Sequence, residues 1–145
     1  MTEEKFINPA STVDLLVERN NEGIREILLI ERKHDPYKGC WALPGGFLDY
    51  KKENLEEAGV RELREETCLE TKVEYLKLFK VSSEPDRDPR DHVISHAYVV
   101  EDFWGDASPA DDAANLDWFP LEKLPSLAFD HREIVDCYKE SRSYK

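Results

Sequence analysis

The sequence predicts a single-domain fold of the mixed α/β (α+β) class, in which a mixed β-sheet packs against helices. Three observations carry this. The 145 residues suit one domain built over one core, residues 1–145. Segments rich in branched apolar residues, bounded by Gly, Pro, Asn and Asp, read as strands. Two stretches of helical period stand among them without following every strand, so a strict βαβ rhythm is not expected.

The first strand is expected over 12–18, where Val13, Leu15, Leu16 and Val17 cluster. Asn20-Asn21-Glu22-Gly23 tolerates positive φ and predicts a hairpin turn into a returning strand at 26–32. That second strand has a near-continuous apolar centre, as burial on both faces requires. The loop at 35–39 ends it, and Trp41-Ala42-Leu43-Pro44-Gly45-Gly46-Phe47 begins extended and closes in a glycine pair. With no Cβ in the way, backbone there can approach a ligand or metal.

Asn54 is placed to cap a helix over 54–67, with Glu56 and Glu57 at the positive end of its dipole. Gly59 inside it costs about 1 kcal/mol relative to Ala, so close packing against a strand is expected there. Further strands are expected at 72–81, 92–100 and 116–119, the first two separated by the Pro-rich loop 84–91. A final helix near 130–142 carries the apolar stripe Ile134, Val135 and Tyr138, with Asp130 as its cap.

A net charge of −12 would repel nucleic acid backbones and anionic membranes, so neither is expected as a partner. A phosphate-bearing substrate would need divalent cations to screen this acidity. Cys40, Cys68 and Cys137 form no CxxC pair and read as reduced thiols. The opening residues are polar and no apolar run approaches ~20 residues, so a cytoplasmic location is expected.

The chemistry concentrates in Arg61-Glu62-Leu63-Arg64-Glu65-Glu66. On a helix, positions i, i+3 and i+4 share a face, so Glu62, Glu65 and Glu66 are expected to crowd one small volume. Mg²⁺ or Mn²⁺, which take hard oxygen ligands, would relieve their repulsion. Taken alone, Glu65-Glu66 would read as a solvated acidic face supported by Glu57 and Arg61.

The surrounding residues change that reading, because together they resemble the Nudix hydrolases, whose box is G-x₅-E-x₇-R-E-U-x-E-E-x-G-U with U a bulky apolar residue. Glu53 stands eight residues before Arg61, and Arg61 to Leu69 fills the remainder. Two positions depart from the pattern. Six residues rather than five separate Gly46 from Glu53, and Cys68 replaces the last glycine, where αL backbone would cost a Cβ-bearing residue about 1 kcal/mol. Neither removes a carboxylate. Residues 41–47, Arg87-Asp88-Pro89-Arg90, Trp118-Phe119-Pro120-Leu121 and Leu127-Ala128-Phe129-Asp130-His131 extend the resemblance to the ADP-ribose pyrophosphatase branch.

The resemblance implies the Nudix fold, a mixed sheet sandwiched between helices. It also implies hydrolysis of a nucleoside diphosphate linked to another group, with ADP-ribose or a related ADP-sugar leading and AMP and a sugar phosphate as products. A (d)NTP or dinucleoside polyphosphate is the second reading, and a non-catalytic nucleotide-binding module the third. By the matching positions, Glu62, Glu65 and Glu66 are metal ligands, joined by the carbonyl of Gly45 or Gly46. Glu62 or a metal-activated water would serve as base. Glu53 is counted with the catalytic set, chiefly to orient the helix and Arg61, and Asp112, with Asp111 beside it, is the acid of a later loop. Arg32, Arg87 and Arg90 are candidate phosphate or ribose contacts, and Trp41 and Phe47 candidate pocket walls. His96 and His131 are expected to be structural. A homodimer is a further expectation of the branch.

Overall fold

A computed structural model describes residues 7–109 and 113–142. Among the described residues eight strands run in chain order: β1 (Ala10–Leu16), β2 (Glu18–Asn21), β3 (Ile24–Arg32), β4 (Trp41–Ala42), β5 (Gly45–Phe47), β6 (Leu76–Ser82), β7 (Val93–Val100) and β8 (Ala113–Pro120). Helix α1 (Leu55–Thr67) lies between β5 and β6, and α2 (His131–Arg142) follows β8.

One sheet has the order β5-β1-β7-β6 and is mixed, because β1 and β7 run parallel while β5 and β6 add antiparallel. The second is built around β3, which pairs antiparallel with β2, β4 and β8. The expected hairpin between 12–18 and 26–32 is therefore revised. The chain leaves the first sheet after Leu16 and enters the second at Glu18, and β2 alone forms the hairpin with β3. Cross-strand ion pairs, Arg19 to Glu26 at 2.7 Å and Arg25 to Glu18 at 2.6 Å, hold β2 on β3. The strand expected from 72 starts at Leu76, after a 3-10 turn at Val73–Tyr75.

Alternation along β1 explains why the mixed sheet is covered on both faces. Val13, Leu15 and Val17 point to a core shared with Ala58 and Leu63 of α1, whereas Leu16 points to one shared with Ile134, Val135 and Tyr138 of α2. Neighbouring β7 repeats the pattern, with Tyr98 and Val100 on the α1 side and Ala97 and Val99 on the other. Gly59 permits the contact anticipated for it, since a Cβ there would stand 2.8 Å from Leu76 Cδ1.

Helix α1 starts at a capping box: Asn54 Oδ1 accepts from the Glu57 amide at 2.8 Å, and Glu57 accepts from the Asn54 amide at 3.0 Å. It ends at Cys68, left-handed at φ 64°, whose N–H bonds to Arg64 O. The extra residue before Glu53 is absorbed by a turn. Lys51 is left-handed at φ 63°, the Lys52 amide donates to Asp49 O at 3.2 Å, and Glu53 still receives the Asp49 amide at 3.0 Å. Among the described residues, no helix is long and apolar enough to cross a membrane.

Candidate active site

A cavity of about 500 Å³ opens where β1, β5 and α1 meet the end of β3, the 87–90 loop and the start of α2. One wall is acidic, the other cationic and aromatic.

The acidic wall depends on two glycines of β5. A Cβ at Gly45 would collide with Val13 O and Asp14 of β1, so β5 can pair at this register only without a side chain. Its amide donates to Glu66 Oε1 at 3.0 Å. A Cβ at Gly46 would stand 2.5 Å from Glu62 Oε1, so the Glu62 carboxylate occupies the volume that a side chain would take. Glu62 and Glu66 face the cavity one helical turn apart. Burial raises the pKa of both. For Glu66 it reaches about 8, because loss of water outweighs the Gly45 amide and the charges of Glu62 and Asp14 add to the rise.

Arg61 governs the remaining carboxylates. Its guanidinium donates to Glu53 at 2.6 Å, Glu62 at 2.8 Å, Glu65 at 3.1 Å and the Phe47 carbonyl at 3.1 Å. These partners hold its pKa above the ordinary arginine value, Glu53 being the largest cause, and Arg61 in turn holds Glu53 below the carboxylate range. Glu53 thus sits outside the cavity, as an anchor for Arg61. Glu65 also lies outside it, with its side chain 49% exposed on Arg61. Among the described residues no three acidic, His or Cys side chains are gathered tightly enough to hold an ion as they stand. The donor chemistry nevertheless suits a hard divalent cation: the carboxylates of Glu62 and Glu66 converge on the cavity one helical turn apart, and burial biases both toward protonation, a bias that a cation held between them would relieve.

Across the cavity, Phe129 carries two guanidinium groups on its ring, Arg32 at 5.0 Å and Arg90 at 5.5 Å. Arg90 also lies 5.1 Å over Phe47 and is paired with Asp88 at 2.7 Å. Arg32 donates to the Pro36 carbonyl at 2.7 Å, and burial followed by the charge of Arg90 lowers its pKa. Arg87 is different. Its side chain is 4% exposed and grips Asp130 with both arms, at 2.5 and 2.9 Å, tying the 87–90 loop to the start of α2. Trp41 lies outside the cavity, edge-on to Phe119 at 4.8 Å in the core beneath α2.

Sequence reasoning gave Asp14 and Phe129 no site role and read His131 as structural. Asp14 is buried in β1 and accepts from Thr12 Oγ1 at 3.2 Å and Ser95 Oγ at 2.5 Å. An acid inside an apolar strand was the available signal. His131 is buried and lines the same cavity, and burial lowers its pKa, so the ring is neutral near pH 7. Asp111 and Asp112 lie outside the described residues.

Residues 8–138 match the NUDIX domain family. The chain is 47% identical over 133 residues to an ADP-ribose pyrophosphatase of Methanocaldococcus jannaschii, covering 92% of this chain and 75% of that protein. Among solved structures, the NUDIX domain of Shewanella oneidensis NrtR complexed with ADP ribose superposes with a TM-score of 0.84 at 26% identity, over 94% of this chain and 90% of that one. A bifunctional NMN adenylyltransferase/ADP ribose pyrophosphatase of Francisella tularensis, complexed with AMP and a Mn ion, gives a TM-score of 0.79 at 34% identity. That match covers 95% of this chain but 43% of the larger protein. A family match over residues 8–138, together with 47% identity to a relative along 92% of the chain, makes this chain a member of the NUDIX domain family.

Proposed function

We propose that the protein, acting as one NUDIX domain, hydrolyses the pyrophosphate bond of ADP-ribose or a related ADP-sugar to AMP and a sugar phosphate, with Mg²⁺ or Mn²⁺ bound. The observation that carries this is the division of one cavity into an acidic wall, Glu62 and Glu66, and a cationic aromatic wall, Arg32, Arg90 and Phe129. A diphosphate flanked by ribose and a base has matching parts.

Glu62 and Glu66 would hold the metal, with the Gly46 carbonyl beside them and Glu65 joining when released from Arg61. A metal bound there would neutralise phosphate oxygens and lower the pKa of water. Arg32, whose guanidinium has a carbonyl rather than a carboxylate partner, binds the far phosphate or ribose. Arg90 and Phe47 border the mouth and stack on a planar group. Glu62 faces the cavity and is the carboxylate placed to take the proton of the attacking water. The net charge of −12 supports a small nucleotide, rather than nucleic acid or membrane, as partner in the cytoplasm.

A substrate panel of ADP-ribose, other ADP-sugars, dNTPs and dinucleoside polyphosphates, run with and without divalent metal, tests the reading. The expected result is metal-dependent release of AMP, fastest from ADP-ribose or another ADP-sugar. Equal or faster turnover of dNTPs would overturn it, and ADP-ribose binding without cleavage would identify a binding module instead.

A further inference from the structure

Residues 43–46 carry both glycines that support the acidic wall, yet only Trp41–Ala42 and Gly45–Phe47 belong to strands. Leu43 and Pro44 lie between the two, outside either ladder. The Pro44 carbonyl accepts from the Leu15 amide at 2.8 Å. The Leu43 amide finds no backbone acceptor in a ladder; it donates to Nδ1 of His131 at 3.1 Å, across 88 residues of chain.

That bond determines the rest of the ring. Because Nδ1 accepts, the proton of the neutral imidazole resides on Nε2, which faces Asp14 Oδ1 at 3.6 Å. Asp14 is fixed in turn by Thr12 and Ser95. From the other end, the Arg87 fork on Asp130 secures the residue preceding His131, and Phe129 before that is held left-handed at φ 53°. A chain of contacts thus runs from Asp14 through His131 to Leu43, and two residues later from the Gly45 amide to Glu66.

We infer that His131 is a positioning residue for catalysis: by accepting the Leu43 amide it sets the 43–46 segment against Glu62 and Glu66. The inference rests on the metal-dependent hydrolysis proposed above, and it assigns His131 no contact with substrate. The His131 ring spans the gap between Asp14 of β1 and Leu43 of the 43–46 segment.

Asn and Gln separate this role from packing. Asn places Oδ1 where imidazole has Nδ1 and preserves an acceptor for Leu43, whereas Gln carries its polar atoms further out and leaves the amide unpaired. His131→Gln is expected to lower kcat for ADP-ribose and Mn²⁺ affinity about 10- to 100-fold, with KM within about threefold and thermal unfolding of the two variants alike. His131→Asn is expected to recover most of both losses. Equal losses in Asn and Gln, no loss in either, or losses that follow the unfolding temperature would each overturn the inference.

Two readouts do not depend on the substrate. Mn²⁺ binding, followed by the paramagnetic signal of the free ion, reports the segment even if ADP-ribose is not cleaved, so failure of the proposed reaction is distinguishable from failure here. In the unsubstituted, ¹⁵N-labelled protein, the His131 ring should be the Nε2–H tautomer, with a coupling across the hydrogen bond between Leu43 N and His131 Nδ1. An Nδ1–H tautomer would overturn the inference without any variant.

Discussion

The amide of Gly45 and the carboxylate of Glu66, 21 residues apart, meet at 3.0 Å, and this bond fastens strand β5 to helix α1 at the floor of the cavity. It opposes the rise that burial imposes on the Glu66 carboxyl. The acidic wall is therefore a joint product of a glycine strand and a helix, and its behaviour can be tested residue by residue.

In metal-free protein, Glu66 binds its proton more tightly when folded, at about 8, than at the ordinary value of 4.5. A raised carboxyl pKa means that the folded state holds more protons than the unfolded chain between those values, so stability falls as pH rises through that window, by at most about 1.4 kcal/mol per pH unit. Glu66→Gln should flatten that slope in urea unfolding and, by removing a ligand, lower metal-dependent turnover at least about 100-fold. A variant whose pH slope matches the parent would contradict the assignment.

Gly46→Ala places a Cβ 2.5 Å from Glu62 Oε1. The obstructed group is the end of a flexible side chain, so the fold should persist while Glu62 is displaced. Turnover should fall about 10- to 100-fold, as expected when a reacting group moves by about 1 Å, with an unfolding midpoint close to the parent. Unchanged turnover would show that Glu62 does not need its present position.

Arg32→Ala removes the guanidinium stacked on Phe129 opposite the acidic wall. KM for ADP-ribose should rise about 10- to 100-fold, since a hydrogen bond to a charged group is worth about 1.5–3 kcal/mol. kcat should change less. A fall in kcat at constant KM would place the arginine in the transition state rather than in substrate binding.

Cys68→Gly relieves a left-handed residue at φ 64°. Net stabilisation of about 0.5–1 kcal/mol is expected, because the gain at the αL position is partly offset by the greater freedom of glycine in the unfolded chain. Calorimetric melting checks it, and a lower Tm would mean that the exposed thiol makes contacts worth more than the backbone strain.

Much of this protein was legible in the sequence because local patterns have local causes. The capping box at Asn54, the helical spacing of Glu62 and Glu66, the glycine pair and the apolar stripe of α2 follow from neighbouring residues and the periods of helix and strand. What required tertiary structure was whatever joins distant segments. The hairpin expected for 12–18 did not form because register is chosen by partners, and β1 pairs with β5 and β7 instead. Arg87 and Arg90 look alike in the sequence, but burial against Asp130 gives one a structural ion pair while the other reaches Phe47 and Phe129. Glu65 shares a helix face with its neighbours, but Arg61 draws it out of the cavity. His131 stands 88 residues from Leu43 and further still from Asp14, and the three carry no shared motif, so only packing of the sheet against α2 brings their polar atoms together.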